Sequence, residues 1–185
     1  MSLTPQALPG MRARLHMPEE ILSLPVAGTG VVSDGEVVVQ SADGKTVSAV
    51  TGATNTKFGV VVFQHVGKSG KNALGKEAYQ AKDCAPVMQI GSIWVKPSAP
   101  VIDINAKVYV RTANPTAQAP LGSLSSAALD STELPNASWE TITGPDGLAI
   151  LSFTWSIINV KTIRTNENSP ISSCTWGANR CRGCI

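Results

Sequence analysis

The chain has 185 residues, 15 basic against 13 acidic, and only 15% of it is charged, where about 25% is usual for soluble domains. That length accommodates one domain with at most an arm or a tail. The near-balanced, interspersed charges lack the basic stripe that phosphate backbones require, which argues against nucleic acid as a partner. No stretch reaches the ~20 apolar residues of a spanning helix, so no membrane role is expected.

The first residues, MSLTPQALPGMRARLHMPEE, lack the charged start and apolar block of a secretory signal, and host cytoplasm is the expected place of synthesis. Residues 1–27 carry Pro5, Pro9, Pro18 and Pro25 without a sustained period and read as an extended N-terminal arm. Within it, Pro18 to Leu22 has the proline and acidic residues of a first helical turn. A β-domain is expected over 28–160. Val31–Val32, Glu36–Gln40 and Thr46–Ala49 form short strand runs, separated by Ser33-Asp34-Gly35 and Ala42-Asp43-Gly44. Asp-Gly between apolar runs favours hairpins, because the central turn positions need positive φ. Phe58–Val66, Val87–Ile90, Ser92–Val95, Val101–Ile104 and Lys107–Thr112 continue the series, with Gly91 marking a bulge or bend. Ala113–Pro135 reads as a long surface loop. Ala137–Thr143 and Leu148–Val160 close the body around the turn Gly144-Pro145-Asp146-Gly147. Val, Ile, Trp, Tyr and Thr dominate these runs. The 16 glycines and 12 prolines favour turns over long helices. The fold class is therefore all-β: a jelly-roll-like sandwich or barrel of short antiparallel strands. Residues 161–185 form a C-terminal extension.

Little in this chain has the make-up of a catalyst. Gly70-Lys71-Asn72-Ala73-Leu74-Gly75-Lys76 has the spacing of a phosphate-binding loop. Position 77, however, is Glu where magnesium binding needs Ser or Thr, and Pro86 stops any following helix. Cys181-Arg182-Gly183-Cys184 has zinc-site spacing, but with Cys174 it supplies only three sulfurs where four ligands are needed, and no histidine follows His65. Cys84 stands alone. His16 lies in the arm, and His65 ends a strand run as an edge or core imidazole. Lys68, Lys71, Lys76 and Lys82, interrupted by Glu77 and Asp83, read as a solvated loop. Trp94, Tyr109, Trp139, Phe153 and Trp155 are expected in the core, whereas Trp176 falls in the polar tail. No metal, cofactor or catalytic group is assigned.

The order of the runs carries a resemblance. KEAYQAKDCAPVMQIGSIWV, then AKVYVRT, then LPNASWETITGPDGLAILSF resembles the capsid cement, or decoration, proteins of tailed bacteriophages. The matching positions are Ala78–Tyr79, Val87–Val95, Val108–Arg111, Asn136–Trp139 and Gly147–Ala149, within about residues 57–155. The first fifty residues match less clearly, and the tail after Lys161 looks foreign to the family. The resemblance implies a jelly-roll-like virion protein on the outer capsid surface. Such a protein binds the major capsid protein as a dimer or trimer and clamps neighbouring subunits. Arg12 and Arg14 in the arm are the candidates for pairing with capsid carboxylates. The competing readings are a fibre, adhesin or glycan-binding module, and a small barrel enzyme; the apolar inward-facing strand positions count against the enzyme.

Overall fold

A computed structural model describes residues 7–14, 18–28, 30–52 and 57–154. Among them there is no helix, and the strands pair antiparallel. In chain order the strands are β1 (Glu20–Pro25), β2 (Val37–Gln40), β3 (Val47–Ala49), β4 (Phe58–Val61), β5 (Gly70–Lys71), β6 (Glu77–Ala78), β7 (Cys84–Val95), β8 (Tyr109–Arg111), β9 (Leu124–Ser125), β10 (Ser131–Glu133), β11 (Ala137–Trp139) and β12 (Ala149–Phe153).

The 12-residue β7 organises the domain. Its first half pairs with β1 on one side and β4 on the other. Its second half pairs with β12, which carries β11. The partners change at Gly91, whose φ of +126° lies where side-chain-bearing residues are strained. The sequence suggested a bulge or bend there, and this glycine is where one strand passes from one sheet into another.

Beyond β4 the order continues through β2 to β3. A parallel bridge from Val26, just after β1, to Val47 on β3 then returns the path to its start. The five strands β1, β7, β4, β2 and β3 thus enclose a small barrel. Its interior holds Val26, Val32, Val38, Val47, Val61, Tyr79, Ala85 and Val87. Outward-facing Val37, Val39, Val60, Val62 and Met88 belong to a second core. That core is completed by Ile93, Val95, Leu151, Phe153 and Trp139, and by Val110, Leu124 and Leu134 around the three-stranded sheet β10-β8-β9. Val37-Val38-Val39 is therefore apolar on both faces because each face of β2 has its own core.

Several expectations change. The segment read as irregular, with a helical turn at Pro18 to Leu22, contains β1, paired with β7 from Glu20 opposite Ile90 to Pro25 opposite Cys84. The backbone bonds Gly10 N–Trp94 O at 2.7 Å, Trp94 N–Met11 O at 2.8 Å and Ala13 N–Ser92 O at 2.8 Å extend this pairing along the second half of β7. Residues 10–13 and 20–25 thus line most of β7. A Cβ on Gly10 would lie 2.8 Å from the backbone nitrogens of Gly35 and Phe63, and φ there is +86°. Glycine lets this segment seat against the barrel. The supposed loop 113–135 contains β9 and β10, held on β8. Val101–Ile104 is not a strand, and Phe58–Val66 ends as a strand at Val61. Anything beyond Thr154, including the rest of Leu148–Val160, lies outside the described residues.

Candidate functional site

The features that suggested chemistry resolve into structure. Gly70–Lys71 and Glu77–Ala78 pair as a hairpin, and Asn72 Oδ1 accepts the N–H groups of Leu74 and Lys76, each at 3.0 Å. A phosphate cradle needs a helix N-terminus at this point, and a strand follows instead. Among the described residues no three His, Cys, Asp or Glu side chains are placed to share a metal ion. His65 is exposed, contrary to the edge or core position expected, with its ring edge-on to Phe63 at 4.8 Å between centroids. Cys84 is an exposed free thiol. His16, Cys174, Cys181, Cys184, Trp155 and Trp176 lie outside the described residues.

Lys68 departs most from its expectation. Lys71, Lys76 and Lys82 are exposed, but the Lys68 side chain is only 5% exposed and pairs with Asp34. Its ammonium lies 5.3 Å from the Phe63 ring centroid and 5.5 Å from that of Tyr79. Burial pushes the Asp34 carboxyl above its ordinary value, with Lys68 opposing that shift. Burial also pushes the Tyr79 hydroxyl up to about 12, reinforced by Asp34 and Asp83. This cluster ties the Ser33–Gly35 turn to the strand-end region and supplies rigidity.

Trp139 and Phe153 are core residues as expected, whereas Trp94 and Tyr109 are half-buried. Tyr79, noted in the sequence only as part of an Ala-Tyr turn, is fully buried inside the barrel.

Arg12 and Arg14 both lie on the segment lining β7. Arg12 bridges to Ile93, and its Nη1 is 3.2 Å from Glu19 Oε2. The ion pair joins Arg12, opposite Ile93, to Glu19, the residue just before β1. Arg14 Nε is 3.0 Å from Glu140 Oε2, while Glu140 Oε1 accepts the hydroxyl of the fully buried Ser92 at 2.6 Å. Both guanidinium groups are half-exposed above carboxylates that are largely buried. Glu140 is thus anchored from beneath by Ser92, and both pairs are open above.

Exposed apolar side chains form the remaining feature. Ile102 is 87% exposed and Ile142 57%, with Ile104 also exposed. Thr143 N donates to Val101 O at 3.0 Å, and Val101 N donates to Thr143 Oγ1 at 2.7 Å. These bonds join the segments that carry Ile102 and Ile142, while Val101 is buried in the core. Sequence reasoning treated both isoleucines as strand residues. The alternation in Val101-Ile102-Asp103-Ile104 could have signalled an outward apolar face, but it does not say which face is outward.

A β-domain with two apolar cores, anchored arginines and outward isoleucines is equipped for docking. The chain belongs to the family described as structural cement protein (E217 gp24/Pam3 gp6), which matches residues 1–154. The chain is thus a structural protein of a phage capsid. The match includes the first fifty residues, where the resemblance was faint, and ends just past β12. A chain in the structure titled "The capsid of Myoviridae Phage XM1" shares the fold, with a TM-score of 0.60 at 14% identity, covering 82% of this chain and 93% of that one. No curated protein sequence matches.

Proposed function

We propose that this protein sits on the outer surface of an icosahedral phage head and clamps neighbouring major capsid subunits, as a dimer or trimer, without catalysing a reaction. The observation that carries this reading is the N-terminal segment held along β7, with Arg12 and Arg14 poised above Glu19 and Glu140. Each guanidinium has five N–H donors; Arg12 commits Nη1 to Glu19, and Arg14 sits with Nε beside Glu140. The others are free for carboxylates of a capsid subunit. Holding the arginines in place beforehand reduces the ordering cost on binding.

A shell under internal pressure parts first where its capsomers meet. A rigid domain across that line adds contact area and needs no chemistry. About 1,600 Å² is enough for a stable interface, and repetition over a symmetric shell makes modest single contacts sufficient. The glycan-binding alternative calls for exposed rings, whereas the described Phe, Tyr and Trp side chains are all buried or half-buried.

The test is to mix the purified protein with expanded heads that lack it, then to measure co-sedimentation and the temperature at which the heads open. Saturable binding in a fixed ratio to capsid subunits, with opening moved to higher temperature, is expected. Absence of binding would overturn the reading.

A further inference from the structure

We infer that Ile102 and Ile142 form the apolar centre of the head-binding surface and insert into an apolar depression, bordered by lysine or arginine, on a capsid subunit. This rests on the head-binding reading above and specifies which surface performs it.

Loop tips ordinarily carry Gly, Asn, Asp and Ser. Here two adjacent segments each place an isoleucine outward, 87% and 57% exposed, and Ile104 adds a third. The two segments are tied together. Thr143 is tied to Val101 through both its N–H and its hydroxyl, and Val101 is anchored in the second core. Asp103 Oδ1 accepts the Asn105 N–H at 2.8 Å, and Asp146 Oδ1 accepts the Leu148 N–H at 3.2 Å. Both loops are thereby stiffened, and each aspartate keeps its second oxygen for another partner. Neither takes part in an ion pair among the described residues.

The polar groups around the isoleucines fix the chemistry of the occupant. Asp103 and Asp146 are exposed, uncompensated carboxylates and call for cations opposite them. Two residues before Ile142 in the chain, Glu140 holds Arg14, the residue of the contact proposed above. An apolar centre with a charged margin is the usual anatomy of a protein interface. Apolar anchors at such a centre carry a large share of the affinity.

The experiment compares full-length wild-type protein with Ile102→Ser/Ile142→Ser for half-saturation of expanded heads lacking the protein, with Leu74→Ser as a control. Leu74 is exposed at the β5–β6 turn. The double variant should bind about 30-fold more weakly or worse, with an unchanged melting temperature, while Leu74→Ser binds like wild type. Asp103→Asn/Asp146→Asn should flatten the salt dependence of binding. Wild-type binding matched by the double serine variant would overturn this inference and leave the head-binding reading standing. So would a double variant that loses self-association but keeps head binding, since a second copy would then be the occupant. Wild-type protein that does not bind heads would remove both.

Discussion

Lys68 and Asp34 form an ion pair from which water is largely excluded, on a lysine that by composition belonged to a solvated loop. Lys68→Met should therefore cost about 3–5 kcal/mol at neutral pH, because it leaves an uncompensated buried carboxylate. Denaturant midpoints would measure the loss. Lys68→Met/Asp34→Asn should recover a good part of it. The Asp34 carboxyl is raised in the folded state, so its ionisation makes stability fall as pH rises from 3.8 through the raised value. The Lys68→Met penalty should accordingly shrink in acid, and a penalty independent of pH would contradict this account.

Asp83 has the opposite sign. Its Oδ2 accepts Gln80 N at 2.8 Å, Ser69 Oγ at 2.7 Å and Ser69 N at 3.0 Å, and these bonds, Gln80's first, hold its carboxyl below 3.8. Its stabilisation is present above 3.8 and is lost as pH falls through the lower, folded value. Asp83→Asn should be destabilised at neutral pH and approach wild type in acid, as read by urea midpoints across the acid range.

Tyr79 gives a third expectation. Its hydroxyl is buried and makes no hydrogen bond among the described residues. Tyr79→Phe removes a desolvated polar atom without breaking a bond, so stability should be unchanged or raised by about 1 kcal/mol. Burial pushes the folded hydroxyl from 10.0 up to about 12. Between those values wild-type stability falls as pH rises. The phenylalanine variant should lack that fall, which alkaline melting curves would show.

Gly10→Ala tests the N-terminal segment. The left-handed backbone alone should cost about 1–2 kcal/mol, and the new methyl would collide with the backbone nitrogens of Gly35 and Phe63. Hydrogen exchange should quicken at the Gly10, Trp94 and Phe63 amides before it does in the barrel interior.

Much of the architecture was legible because short β-branched runs between glycine turns have few alternatives to a sheet. Val37-Val38-Val39, Ile93, Val95 and Leu151 occupy strands as read. β1 was hidden because four prolines and an acidic pair obscure Ile21, Leu22 and Leu24, and its pairing is set by β7, some sixty residues away. β9 and β10 were hidden because two- and three-residue strands have no period of their own; Leu124 in β9 and Leu134 just after β10 are apolar for the sake of a distant core. Arg12 and Arg14 could be nominated from charge, but their carboxylates could not, since Glu140 reaches Arg14 only after β11 and β12 have folded onto β7. The outward turn of Ile102 and Ile142 depends on the hydrogen bonds joining Val101 to Thr143, which sequence does not express.

The clamp itself is tested most directly by a cryo-EM reconstruction of heads to which the purified protein has been added. Density for the β-domain should lie on the outer surface astride the line between adjacent capsomers, with residues 10–14 and the 101–104 and 140–144 loops facing the shell. Density confined within one capsomer, or no added density at saturating protein, would contradict the account.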